Sequence, residues 1–173
     1  DTVRERVDLN LGVMLPGFRV RTGAPLPSSS WALSIDEIPA GRGSIGELRF
    51  VTPMSVGDLQ VMGIVGTPLP ESGLGRALTM VPAADEAKAR AGQVPLLSAR
   101  EYVCEHLVLQ LRKRAHQFLG VQEVQSALSA IEATHGALVK EALVKVPLPL
   151  MTDVLKKLLG EQVSVRNLKA ILD

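Results

Sequence analysis

Apolar side chains recur along this chain in two rhythms, and the change falls near Ser98. Before it, short stretches alternate. Trp31, Leu33 and Ile35 share one side of an extended segment, with Ala32, Ser34 and Asp36 on the other, which predicts a half-buried strand. Ile45–Val51 alternates less regularly. Pro39–Gly43 between the two reads as a turn, so the pair predicts a β-hairpin. Phe18–Arg21, Leu59–Val65, Ala77–Val81 and Val94–Leu97 are the other strand candidates. Val3, Val7, Leu11 and Met14 predict a short helix over residues 2–12, and Ala83–Ala91 predicts another, ended by Gly92. Gly23–Ser30 and Gly66–Gly75 are rich in the residues of loops.

After Ser98 the period is helical throughout. Ser98 and Glu101 have the S-x-x-E spacing of a capping box, so a helix starts there. Val103, Leu107, Leu111 and Ala115 fall four apart before Gly120 stops it. Val121, Val124, Leu128 and Ile131 predict a second helix; Gly136 breaks it and Leu138–Val144 forms a third. Pro147 and Pro149 precede a fourth, which carries Met151, Val154, Leu155, Leu158 and Leu159 and ends at Gly160. Leu158 is expected in its core-facing row. Ser164 is the expected cap of a last helix with Leu168, Ile171 and Leu172. The fold class is therefore α+β, with a mixed α/β part to about residue 97 and an all-helical part after it. No internal repeat stands out.

Composition narrows the function classes. The 173 residues are 46% apolar but only 3% aromatic, so the core is built from Leu, Val, Ile and Ala. Basic and acidic residues number 19 and 18, spread evenly about Ser98, which argues against nucleic acid as the main partner. A single cysteine, Cys104, excludes an internal disulfide and fits a reducing compartment. No run approaches the roughly 18 apolar residues of a membrane helix. The chain opens on Asp1 rather than Met and shows no signal peptide, which reads as a piece of a longer protein.

Candidate chemistry is sparse. Gly41-Arg-Gly43-Ser-Ile-Gly46 matches G-x-G-x-x-G, but a dinucleotide site needs a helix after it, and here a strand pattern follows; a hairpin turn accounts for the glycines. His106 and His116, on one predicted helix, stand roughly 15 Å apart along its axis, too far to share a metal. Cys104 and His106 point apart. No G-x-S-x-G, H-E-x-x-H or phosphate-loop pattern occurs. Arg112, Lys113 and Arg114 spread around a helix axis and suit its C-terminal end. No catalytic residue, metal or cofactor is predicted, and the chain is not expected to be an enzyme.

Several segments carry a resemblance. Glu105-His106-Leu107 and Ala115–Val124 are similar to the "THL … HAxELLGxQEV" stretch of the major export gate protein of bacterial type III secretion systems, flagellar and injectisome. Val154–Leu172 resembles that family's "VLxxLLxExVSIRDLRxILE", with apolar spacing, a serine and Arg166 at fixed offsets. Leu11–Arg21 and Trp31–Ala40 match more loosely. The family's "DPAFGLxAxWI" segment stands here as Glu71–Val81, keeping Gly75 and the acid Glu71, with Leu74 and Met80 in place of aromatics. That loss favours an injectisome relative.

The resemblance implies the following. The chain would be part of the cytoplasmic domain, at the inner membrane through a segment outside this chain. It would be a small mixed α/β subdomain at 1–30 and 81–97, an inserted β-rich subdomain at 31–80, and an all-helical subdomain at 98–173. Its partners would be itself, in a homo-nonameric ring, and secretion chaperones, export substrates and switch proteins. Glu71, Leu74 and Gly75 would line the partner groove. Arg112, Lys113, Arg114 and Arg166 are candidates for subunit contacts. The alternatives are a nucleic-acid-binding or other helical interaction module, which needs a basic face, and an enzyme, which needs a deep pocket with shifted pKa values.

Overall fold

Two serines show how local chemistry starts the helices. The Ser55 hydroxyl accepts the Asp58 N–H at 3.2 Å and donates to its carboxylate at 2.7 Å. Ser98 does the same with Glu101. Its N–H and hydroxyl each donate to the Glu101 carboxylate at 2.7 Å, and its oxygen accepts the Glu101 N–H at 3.3 Å. These bonds from Ser98 hold the Glu101 carboxyl below its ordinary range. They satisfy amides that a helix start leaves orphaned.

The computed structural model describes residues 2–23, 25–44, 50–69 and 72–173. The order is α1 (Thr2–Leu11), β1 (Ser30–Ile35), β2 (Ile38–Ser44), β3 (Phe50–Thr52), α2 (Val56–Val61), β4 (Thr67–Leu69), β5 (Leu78–Val81), α3 (Glu86–Ala91), β6 (Leu97–Ser98), α4 (Ala99–Lys113), α5 (Val121–Lys145), α6 (Leu148–Gly160) and α7 (Leu168–Leu172). The chain forms two compact units, residues 21–109 and the combination of 1–20 with 110–173. The mixed strand-and-helix class matches the expectation.

In the unit of residues 21–109, β1 and β2 form an antiparallel hairpin. The other strands form a sheet in the order β4-β5-β3-β6, every pair antiparallel. With α2 and α3 as the crossings this is the split β-α-β, ferredoxin-like arrangement. Alternation along the strands gives each face its own core. One holds Leu59, Ile64, Val81, Ala89 and Val94, with Phe50 packed against them. The other holds Val51, Leu78 and Tyr102 of α4, with Leu74 and Leu97 against them.

The two halves of this sheet repeat. Leu59 corresponds to Ala89 and Ile64 to Val94, thirty positions on. Both helices end in a Schellman motif: Ile64 N–H returns to Leu59 O and Val94 N–H to Ala89 O, each at 2.9 Å. The left-handed residue is Gly63 in one and Gln93 in the other, with φ of 68° and 56°. α6 ends in the same way, with Gln162 at φ 63° and Val163 N–H on Leu158 O.

The other unit is helical. α6 packs on α5 and on the 3-10 turn Ala115–Phe118, and α5 packs on α7. Val7, Leu11, Leu111, Leu128, Leu155 and Leu159 are among its buried apolar residues. The chain's two ends meet here. Val165 N–H donates to Leu11 O at 3.0 Å and Arg166 Nη1 to Leu9 O at 3.2 Å, satisfying carbonyls at the end of α1. Gly12, at φ 73°, makes the approach possible: a Cβ there would lie 2.4 Å from Arg166 Cα.

Several expectations are corrected. Phe18–Arg21 forms no strand, and Phe18 and Val20 are exposed. The hairpin turns at Asp36 and Glu37, both at positive φ, so Pro39–Gly43 lies on β2 and not in a turn. Gly41 and Gly43 are strand residues, and a Cβ on Gly43 would meet the Trp31 ring at 2.8 Å. The partner of β1 is β2 rather than 45–51; Ile45–Arg49 lie outside the described residues. Leu59–Val65 begins as helix α2, because Ser55 caps it. β4 lies within the expected loop 66–75, and β6 is confined to Leu97–Ser98. The break expected at Gly136 falls one residue earlier: α5 is two helices joined across a kink at His135 (φ −135°, ψ 45°), where the Thr134 hydroxyl donates back to Ile131 O. α4 stops at Lys113, and Gly120 instead precedes α5, its N–H bonded to the Glu123 carboxylate at 2.8 Å. Asn167, not Ser164, caps α7.

Of the apolar residues expected on this helix, Met151, Leu155 and Leu159 are buried, whereas Leu158 is only partly covered and Val154 is exposed. Leu159→Ala is expected to cost about 2–5 kcal/mol and Leu158→Ala distinctly less, read by denaturant unfolding. Gly12→Ala is expected to cost more than about 2 kcal/mol, since it adds left-handed strain of about 1–2 kcal/mol to a backbone clash. Equal midpoints for Gly12→Ala and the parent chain would contradict the docking of 165–166 on α1.

Candidate functional site

The loop between β4 and β5 carries two of the three groove candidates. It turns through Gly73 and Gly75, at φ 65° and 72°, conformations that favour glycine. The Ser72 hydroxyl donates to the Arg76 carbonyl and accepts the Leu74 N–H at 3.3 Å, closing a tight local turn. Leu74 is half-buried against Val51, Leu78 and Tyr102. Gly75 is exposed and faces open space. Glu71 lies outside the described residues.

Helix α4 holds this loop. The buried Tyr102 hydroxyl donates to Ser72 O at 2.8 Å. One turn on, His106 lies under Gly73, where a Cβ would stand 2.6 Å from its ring. His106 is only 8% exposed. Tyr102 meets it edge-on with ring centroids 4.6 Å apart, and Trp31 of β1 lies at 5.4 Å. Arg76 stands 3.9 Å from Glu105. Burial raises the Tyr102 pKa. Burial also lowers that of His106, against a weaker opposing effect from the Ser72 main chain. Neither His106 Nε2 nor Trp31 Nε1 has a hydrogen-bond partner among the described residues.

The four basic candidates are not gathered into one patch by side-chain bonding. Arg114 folds back onto Gln110, with Nη1 2.7 Å from its amide oxygen. Lys113 is exposed. Arg112 offers its carbonyl to Gln162 Nε2 at 2.9 Å, while its own Nε is buried. Arg166 is engaged with Leu9 O. His116 lies in the 3-10 turn rather than on the helix of His106, and His135 sits at the kink of α5. Among the described residues no group of three or more His, Cys, Asp or Glu side chains converges on a common point.

The FHIPEP family matches residues 1–173. Low calcium response locus protein D of Yersinia pestis is 31% identical over 175 residues, covering 99% of this chain and 24% of that protein. Chlamydia pneumoniae CdsV, also solved in a complex with CdsO, superposes with a TM-score of 0.87 at 28% identity, over 99% of this chain and 50% of that one. The nonameric EPEC SctV-C shares the fold, with a TM-score of 0.69 at 18% identity. The chain thus spans about a quarter of its curated relative and about half of the solved chains. It belongs to the FHIPEP family, whose matched relatives are export gate proteins of type III secretion.

The clamp of Trp31, Tyr102 and His106 on Ser72 and Gly73 is not in the sequence reading. Its one available signal is rarity: Trp31 and Tyr102 are the only residues of their kinds in the chain. A pH dependence follows. The folded pKa of His106 lies below its ordinary 6.5, so on acidification the unfolded chain binds the proton first. The contribution of a neutral His106 is fully present above pH 6.5 and is lost as pH falls from there toward the folded value. His106→Gln is expected to flatten this part of the stability curve in denaturant titrations at successive pH values. An unchanged slope would exclude His106 as its source.

Proposed function

We propose that this chain is the ring-forming and cargo-docking part of an injectisome export gate, on the cytoplasmic side of the inner membrane. Membrane attachment belongs to segments outside this chain; among the described residues no helix is long and apolar enough to cross a membrane. Copies join into a ring of nine. Secretion chaperones, export substrates and switch proteins dock on it, and the chain moves cargo along without catalysing a reaction. The chain divides as the family does, into parts at 1–30 with 81–97, 31–80 and 98–173.

The observation that supports this most is the joint match to CdsV in fold and in sequence over 99% of the chain. The solved CdsV–CdsO complex supports a second secretion protein as partner, and the nonameric SctV-C of the same fold supports the ring. Within the chain, Leu74 and Gly75 form the docking edge together with the acid Glu71: Leu74 is a half-buried apolar side chain and Gly75 an exposed glycine on the stretch 72–77 held by α4. Such a loop binds with less ordering cost than a mobile one. Arg112, Lys113, Arg114 and Arg166 are the subunit contacts; of these, exposed Lys113 is the most available to a neighbour.

Calorimetric titration of the gate's cytoplasmic region with its cognate chaperone–cargo complex tests the docking edge. Glu71→Lys is expected to weaken binding about tenfold, or about 1.4 kcal/mol, with the melting temperature unchanged. An unaltered Kd would remove Glu71 from the docking edge. Light scattering on the same region should return a nine-copy mass at high concentration; a single-copy mass throughout would contradict the ring.

A further inference from the structure

We propose that His106 is a proton-operated latch on the loop of residues 72–77: neutral, it keeps the loop closed on α4, and protonated, it leaves its place and lets the loop open. The geometry is that of a group that can be charged only by moving. Its ring is packed between Trp31, Tyr102 and Gly73, and Nε2 has no acceptor among the described residues. A proton there creates a buried cation with an unsatisfied N–H.

Among the described residues, the groups facing it are few. From α4 come the Tyr102 phenol and the neighbouring Glu105; from the loop, the Ser72 main chain and Arg76; from β1, Trp31, which does not titrate. Glu105 stands toward Arg76 at 3.9 Å, so part of its charge is answered there. The Trp31 and Tyr102 rings, with centroids 5.4 and 4.6 Å away, favour a cation but give Nε2 no hydrogen-bond acceptor. Desolvation therefore decides, and the depressed pKa of His106 agrees. Once the ring leaves, Gly73 loses its floor, and two glycines at positive φ leave the loop free to rearrange. That this regulates docking rests on the function proposed above; the latch itself does not.

Trp31 is the only tryptophan and touches His106, so it reports the latch. In the 173-residue chain, lowering pH from 8 to 5 is expected to quench Trp31 fluorescence and shift the Gly73 and Gly75 amide resonances together. The midpoint should match that of the His106 ring and lie below 6.5. His106→Phe keeps the ring without the proton and is expected to hold all three signals flat. Should that variant not fold, the wild-type titration decides alone. A His106 midpoint at or above 6.5, or glycine amides that ignore its titration, overturns the latch. A second arm measures chaperone–cargo affinity above and below the midpoint. Weaker or stronger binding below it, absent in His106→Phe, supports regulation through the loop. An opened loop with unchanged affinity leaves the latch standing and sinks the docking role of 72–77.

Discussion

The hydroxyl of Tyr102, buried and bonded to the Ser72 carbonyl, fixes where the loop of residues 72–77 lies. That loop has no strand partner and passes through two left-handed glycines, so its own backbone does not choose one conformation. α4 chooses for it. Tyr102 both closes one face of the sheet, with Val51 and Leu78, and supplies the hydrogen bond, so the loop is as well placed as the core beneath it. A docking edge built on such a support is preorganised, and binding energy is not spent on ordering it. His106, one turn further along, adds packing that depends on its being uncharged.

The helical unit depends on a different closure. Its first helix would expose orphan carbonyls at Leu9 and Leu11, and residues 165–166 satisfy them from the far end of the chain. The positive φ of Gly12 lets the two backbones meet. The Arg166 Nη1 donor is thereby committed within the chain. The same economy applies to Arg114, already bonded to Gln110.

Much of the helical part was legible because periodicity and caps agree there. Ser98 and Glu101 start α4 as their spacing requires, and α6 runs to Gly160. The strand part was harder for identifiable reasons. Ser55 and Asp58 form the same kind of cap, but Leu59, Val61, Ile64 and Val65 behind them carry a strand-like composition that masks it. The hairpin turns at Asp36 and Glu37, which lack the glycine that marks such turns, while Gly43 on β2 serves to seat Trp31. The repeat of the sheet is hidden because Gln93 occupies the left-handed position that Gly63 fills in the first half. As for the site, Leu74 and Gly75 came through the family resemblance, whereas the clamp of Trp31, Tyr102 and His106 joins β1 to α4 and is invisible to any local pattern.

The most direct measurement is hydrogen exchange on the gate's cytoplasmic region with and without its cognate chaperone–cargo complex. If α4 presents 72–77 as a preformed docking edge, amides from Ser72 to Ala77 gain protection on adding the complex, while the α4 amides around Tyr102 are already protected in the free protein. Protection confined to other segments, with the 72–77 amides exchanging at the same rate in both samples, would contradict the account.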